Sequence, residues 1–327
     1  MQTATTTTSL TVSRLGLGCM GMSEFYGASD PGDAQRVLQR ALDLGVNFLD
    51  TADMYGRGEN ERLIGGFVRA NRDRVVIATK CGIVRGATPA DQRRDTSPAY
   101  IRAACEASLQ RLGVETIDLF YLHRLDGITP IEDSVGELSR LVESGKVRNL
   151  GLSEVTVGEL REAHAVHPIA AVQSEYSLST RGPEVEAMVD ACGEIGALFV
   201  PFSPLGRGLL TAAYRSPEDF TGADFRTILP RFQPGALEQN LTVVDRLAGI
   251  AAAKGCTVAQ LALAWVLARG PHVVPIPGTR RLDRLEENIG ALGVSLSRED
   301  MAAIDRAAPA DAIVGDRYPT SLAPRKA

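Results

Sequence analysis

The sequence predicts an α/β protein of the closed (β/α)8 barrel class, with a short N-terminal β-hairpin and long loops at one mouth. Three observations carry that expectation. Short apolar runs of strand length recur along the chain. Between most of them lie segments with the 3.6-residue spacing of amphipathic helices. Eight such runs occur in 327 residues, which suits a helix-covered barrel better than an open sheet.

The expected staves are residues 15–19, 46–49, 75–79, 119–122, 147–152, 170–173, 197–202 and 273–276. Each is a nearly continuous apolar run, as a strand buried on both faces requires. The stretch SLTVSRLG before the first stave reads as a small hairpin closing the bottom of the barrel. In DAQRVLQRALDLG, Ala34, Val37, Leu38, Ala41 and Leu42 form one apolar stripe that Gly45 ends, so the first helix is expected from about Asp33. In PAYIRAACEASLQRLG the stripe is Ile101, Ala104, Cys105, Ser108, Leu109 and Leu112. Residues 204–235, rich in proline and glycine with little periodicity, read as a long loop over the mouth. The tail from Asp311 reads as a second flap. Trp265, inside an apolar helical stretch, reads as core, and His164, His167 and His272 as surface or capping residues. No linker divides the chain, and one domain over residues 1–327 is expected.

Hydrophobic residues make up 44% and the formal net charge is −5. That balance argues against nucleic acid or an anionic membrane as partner. No apolar run reaches the roughly 18 residues of a membrane span. The start MQTATTTTSL lacks the charged and apolar regions of a secretion signal. Cys19, Cys81, Cys105, Cys192 and Cys256 are scattered, with no C-x-x-C pair. Reduced thiols in a cytoplasmic protein follow, and neither a disulfide framework nor a zinc site is expected.

GLGCMG, residues 16–21, satisfies the G-x-G-x-x-G pattern of a dinucleotide-binding turn. That fingerprint needs a helix opening at its third glycine. Here MSEFYGASDPGD follows and reads as loop, so the glycines are assigned to close backbone approach instead.

Catalytic residues of a parallel barrel gather at the C-terminal ends of its strands. In NFLDTADMYGRGENERLIG the second stave meets Asp50, with Tyr55 in the loop beyond it. VVIATK ends in Lys80 and DLFYLH in His123. Each alone has an ordinary reading as a cap, a solvated cation or a satisfied core residue. Together they make a chemical set. A tyrosine phenol near pKa 10 is a poor acid unaided. A lysine cation within about 4–6 Å is expected to lower that value, with Asp50 holding the lysine charged and His123 orienting a substrate oxygen. The set suits protonation of a carbonyl oxygen as charge develops on it. No metal is needed.

LDTADMYG, IATK and DLFYLH resemble the Asp-Tyr-Lys-His tetrad of the aldo-keto reductase superfamily, and the similarity runs from LGLGCMGMS to RLDRLEENI. YLHRLD, GLSE and FSPLGRG resemble its bacterial and plant branch. The resemblance implies a TIM barrel that uses NADPH, without a Rossmann domain, to reduce aldehydes and ketones. It makes Tyr55 the general acid, tuned by Lys80 and Asp50, with His123 orienting the carbonyl. It assigns Ser153 and Gln173 to the nicotinamide carboxamide and Phe202 to stacking beneath the ring. Glu154 stands where the family often has Asn. Ser203, Pro204, Leu205, Gly206, Arg207 and Gly208 are assigned to the pyrophosphate. Gly278, Thr279, Arg280 and Arg284 are assigned to the adenosine phosphate, and Glu287 and Asn288 to the adenine. Two nearby arginines suit a 2′-phosphate and so NADPH over NADH; Arg281 is left as surface.

The expected partner is a small carbonyl compound, with the oligomeric state unread. Met22, Phe25, Tyr26, Met54, Arg124, the 204–235 loop and the tail are the expected pocket walls, which suggests hydrophobic or aromatic carbonyls. A cofactor-sensing module of the same fold, like potassium-channel β-subunits, is the rival reading. A barrel hydrolase or lyase without a redox cofactor is a third.

Overall fold

The computed structural model describes residues 2–27, 29–86, 91–220 and 222–320. The chain opens with an antiparallel hairpin, β1 (Thr3–Thr5) and β2 (Thr11–Ser13). Barrel staves follow as β3 (Leu17–Gly18), β4 (Phe48–Asp50) and β5 (Val76–Cys81). A small antiparallel ribbon, β6 (Ile83–Val84) with β7 (Arg93–Arg94), stands in the next loop. The staves resume as β8 (Ile117–Leu122), β9 (Val147–Ser153), β10 (Ile169–Glu175) and β11 (Leu198–Phe202). These seven pair in parallel in the order β11-β10-β9-β8-β5-β4-β3.

The eighth stave departs from expectation. Residues 273–278 join β11 to β3 through isolated parallel bridges, Phe199 with Val273 and Gly18 with Gly278, without becoming a regular strand. Val274 and Ile276 donate to the carbonyls of Phe199 and Pro201, and Gly16 and Gly18 donate to those of Pro275 and Pro277. Pro275 and Pro277 have no N–H to return toward β3, so that ladder runs one way only. The barrel closes nonetheless. Gly18 is required at this seam, because a Cβ there would lie 2.9 Å from the Ile276 carbonyl oxygen. Close approach is the use Gly16 and Gly18 of GLGCMG serve, and the first long helix begins only at Pro31.

That helix, α1 (Pro31–Asp43), starts two residues before the expected Asp33, because Asp30 caps it and accepts from the Asp33 amide. Its buried residues are the expected stripe. The next are α2 (Glu59–Ala70) and α3 (Pro98–Leu112), the latter capped by Ser97 and again burying the expected face. Then come α4 (Ile131–Glu143), α5 (Val157–Val166) and α6 (Pro183–Ile195). The last four are α7 (Ala236–Ala253), α8 (Val258–Leu267), α9 (Leu282–Gly290) and α10 (Arg298–Ala307). Trp265 is fully buried and stacks on Tyr176. His164 accepts the Ile169 amide at the start of β10, and His272 contacts the Val189 carbonyl of α6, so both make packing contacts rather than helix caps. Among the described residues no single helix is long and apolar enough to cross a membrane.

The described residues of 204–235, all but Thr221, are more regular than their composition suggests. They form successive 3-10 turns anchored by buried Leu209, Leu210, Phe220, Leu229 and Phe232. Prolines and glycines break the helical period without removing the apolar anchors.

Two cores result. One lies between staves and helices. The other fills the barrel: Phe48, Ala78, Leu119, Tyr121, Ala171, Val200 and Val274, closed from below by Ala4, Leu10 and Val12 of the hairpin. Hairpin burial is the expected plug, although it spans residues 3–13. Tyr121 fits inside because Gly151 pairs with it across β8 and β9. A Cβ on Gly151 would lie 2.4 Å from the buried ring. Gly151→Ala is therefore expected to destabilise the protein by about 1–3 kcal/mol through overpacking. A urea midpoint lowered at unchanged slope will show it, and Tyr121→Leu in the same chain should return part of the loss.

Candidate active site

Side chains on a strand alternate between its two faces. Phe48, Ala78, Tyr121, Gly151, Ala171 and Val200 point into the barrel, so the positions two further on point into its mouth. Those positions are Asp50, Lys80, His123, Ser153, Gln173 and Phe202. One parity brings six expected site residues to one ring.

Tyr55 reaches the same place from the short turn Tyr55–Gly58 after β4. Buried Asn60 holds this loop. It accepts from the Thr51 hydroxyl at 2.6 Å and donates to the Cys19 carbonyl at 2.8 Å and the Ser23 hydroxyl at 2.9 Å. Lys80 is wholly buried beneath the phenol. Its Nζ donates to Asp50 Oδ1 at 2.5 Å, to the Thr51 carbonyl at 2.7 Å and to Tyr55 Oη at 3.4 Å. Gln173 Nε2 donates to the other Asp50 oxygen at 2.8 Å. Rings of Tyr55 and His123 meet edge to face, 5.9 Å apart.

Burial alone would neutralise Lys80, but Asp50 and Tyr55 outweigh it and hold the ammonium above its ordinary value. Tyr55 differs from expectation. Burial raises its phenol by more than the Lys80 cation lowers it, so the proton is held firmly. His123 is held neutral: burial pushes it well below 6.5, and Lys80 and Arg124 add to the effect. Its Nδ1 is buried with no partner among the described residues. Behind the turn, burial and then the Glu61 carboxylate push Asp53 up to about 7. The cup thus holds a phenol and a neutral imidazole over a buried cation.

A cavity of about 890 Å³ opens above them. Asp50, Tyr55, His123, Ser153, Gln173 and Phe202 line it. So do Ser203, Pro204, Leu205, Arg207, Gly208, Gly278, Thr279, Arg280, Arg284, Glu287 and Asn288. Lys80 lies below its floor. Gly206 lies behind its wall, supplying a turn at φ 57° rather than a surface.

A sequence model of the aldo/keto reductase family matches residues 14–309. This chain belongs to the aldo/keto reductase family. It is 44% identical over 314 residues to the aldo-keto reductase yakc of Schizosaccharomyces pombe, whose name carries NADP(+), covering 94% of this chain and 92% of that one. The glycerol dehydrogenase AKR11B4 of Gluconobacter oxydans superposes with a TM-score of 0.85 at 30% identity, over 94% of this chain and 96% of the other. The holo form of the aldo-keto reductase AKR11C1 of Bacillus halodurans gives 0.79 at 27% identity, over 95% and 97%.

In this aldo/keto reductase chain the donors of the cavity form two groups. Ser203, Gly206, Arg207 and Gly208 all hold positive φ, a run of turned backbone that can present amides to an anion. Beyond the eighth stave, Thr279, Arg280 and Arg284 surround the start of α9. Arg284 pairs with Glu287 at 2.7 Å, and Arg280 donates to the carbonyls of Tyr26 and Gly27. This donor set fits a dinucleotide carrying an extra phosphate. Arg281, expected on the surface, pairs with Asp283 and still lines the cavity.

Two expectations are redirected. Glu154 turns away from the cavity: it accepts the Glu175 amide at 2.8 Å and pairs with Arg317 of the tail at 2.9 Å. The Arg207 cation is shared with buried Glu175 at 3.4 Å, and its Nη2 donates to the Tyr318 hydroxyl at 2.8 Å. Met22 is buried and off the wall, whereas Phe25, Tyr26, Met54, Arg124 and Tyr318 line it. Sequence reading missed Arg57, Arg85, Gln92 and Arg94 at the mouth. The short ribbon β6–β7 carries the last of these, and no periodicity announces a two-residue strand.

A neutral buried histidine makes stability depend on pH. Below about pH 6.5 the unfolded chain binds a proton at His123 that the folded chain refuses, so stability falls as pH falls, by at most about 1.4 kcal/mol per unit. Asp53 acts with the opposite sign, since its folded form binds a proton below about 7. Urea unfolding of wild type and His123→Gln from pH 7 to 5 separates them: the variant should lack the His123 slope and keep the Asp53 one.

Proposed function

We propose that this chain reduces aldehydes and ketones to alcohols with NADPH, Tyr55 being the general acid. The observation that carries the reading is the placement of Lys80 Nζ between Asp50 at 2.5 Å and Tyr55 Oη at 3.4 Å, directly under the cavity floor. The NADP(+) in the name of the Schizosaccharomyces pombe relative supports the choice of cofactor. Bound NADPH supplies a hydride.

The chain's own residues do the rest. Ser203 to Gly208, with Arg207, would hold the pyrophosphate, and Thr279, Arg280 and Arg284 the 2′-phosphate, as charge-assisted donors suited to phosphate geometry. Ser153 and Gln173 would orient the carboxamide, and Phe202 would offer its exposed face to the ring. His123, neutral and with an unused buried nitrogen, would direct the carbonyl oxygen toward Tyr55. As negative charge grows on that oxygen the Tyr55 proton moves to it. The phenolate left behind is stabilised by the Lys80 ammonium, whose charge Asp50 maintains. Burial holds the phenol protonated, and the Lys80 cation offsets part of the cost of forming the phenolate as the proton leaves.

Tyr55→Phe should lower kcat by two or more orders of magnitude, about the scale of a lost general acid, while NADPH binding by fluorescence titration survives. Arg284→Ala should weaken NADPH more than NADH. Undiminished turnover in the first variant would remove Tyr55 from the role. Failure of the wild type to oxidise NADPH with any of a panel of aldehydes would favour a sensing module over an enzyme.

A further inference from the structure

We propose that the site is built for carbonyl substrates that also carry a carboxylate, which Arg124 receives. This rests on the reductase reading above. Among the described residues, nine arginines line the cavity against two carboxylates, Asp50 and Glu287, and both carboxylates are already paired, with Lys80 and Arg284. Several of the arginines are answered as well: Arg85 by Glu24, Arg226 by Asp224 and Arg207 by Glu175.

Arg124 differs. It follows His123 at the end of β8, half-buried in the wall, and no carboxylate pairs with it among the described residues. Its Nη1 donates to two neutral acceptors, Ser153 Oγ at 2.9 Å and the His123 carbonyl. Nε and Nη2 donate to nothing among the described residues. Those two atoms form one edge of the guanidinium, spaced to grip both oxygens of a carboxylate. A half-buried cation with an unused bidentate edge is a binding site in search of an anion.

Topology sets the proposed 2′-phosphate site away from Arg124. Around the barrel, β8 stands opposite the eighth stave, three staves intervening on either side. Arg280 and Arg284 extend from that eighth stave, so Arg124 faces them across the mouth. It stands instead beside Tyr55 and His123, where the reacting carbonyl would lie. A carboxylate only a few atoms from the carbonyl would reach both. The apolar preference expected from Phe25, Tyr26 and Met54 is therefore incomplete: those residues would pack the substrate's body, and Arg124 would fix one end.

Two charge-matched pairs test the proposal: 4-oxobutanoate against 4-oxobutanamide, and 3-formylbenzoate against 3-formylbenzamide, with 4-nitrobenzaldehyde as a neutral reference. Wild type should prefer the carboxylate member of at least one pair by about tenfold or more in kcat/KM, the scale of a charge-assisted contact. That ratio should shrink in high salt, collapse toward one in Arg124→Gln and return in part in Arg124→Lys. A wild-type ratio of one or below in both pairs, or a ratio that Arg124→Gln leaves unchanged, overturns the proposal. So does Arg124→Gln weakening NADPH binding with the ratio intact, since Arg124 would then belong to the cofactor. Reduction of 4-nitrobenzaldehyde without preference between pair members sinks the substrate class and leaves the reductase reading standing. If no aldehyde is reduced, the reductase reading fails instead. Calorimetric titration with benzoate against benzamide then decides the anion site: benzoate binding lost in Arg124→Gln upholds it, and equal binding of the two overturns it.

Discussion

Asp50 and Lys80 form an ion pair sealed from water, and the rest of the site is arranged around keeping it intact. Burying two charges costs several kcal/mol per ion unless geometry and further hydrogen bonds compensate. Here they do. Lys80 spends its donors on Asp50, the Thr51 carbonyl and Tyr55, and Asp50 receives Gln173 on its second oxygen. Register supplies the geometry. Asp50 pairs with Ala78 across β4 and β5, placing Lys80 one inward position further up the neighbouring stave. A one-residue slip would turn Lys80 toward the helices and leave Asp50 buried alone. The pair is thus a constraint on the fold as much as a feature of the proposed chemistry.

The same parity explains how much could be read in advance. Strand ends were visible as apolar runs stopping at polar residues, and the period of two carried Asp50, Lys80, His123, Ser153, Gln173 and Phe202 to one mouth. Helical faces were visible for the same reason, since 3.6-residue spacing is a property of sequence; α1 and α3 bury the stripes that their spacing marks. Balance between opposing effects was not visible. Tyr55 was expected to be depressed by Lys80, yet the cost of burying a phenolate exceeds the attraction. Sequence shows which charges are near and says little about how dry the site is. Nor does sequence mark an eighth stave whose prolines remove half its ladder, or a two-residue ribbon that brings Arg94 to the mouth.

Loops were the least legible part, and their physics differs from that of the staves. Phe25, Arg57, Glu154, Ser203 and Arg207 hold positive φ although none is glycine. Each stores backbone strain that surrounding contacts must offset. At Glu154 the offsetting contacts are plain: its carboxylate takes the Glu175 amide and the Arg317 cation. Burial would neutralise Glu175, but Arg207, Arg317 and Arg231 hold it ionised, below its ordinary value. Arg207 and Arg317 both lie against Tyr318.

One network therefore ties the end of β9, the end of β10, the long loop after β11 and the tail. Glu154, standing where the family often has Asn, anchors that tail through Arg317, which lies against the cavity-lining Tyr318. Staves fix where the tetrad sits, and charge pairing among loops fixes what the mouth can admit. Glu154 and Glu175 thus spend their charge on Arg317, Arg207 and Arg231, while Arg124, at the end of the neighbouring stave, meets only the neutral acceptors Ser153 and His123.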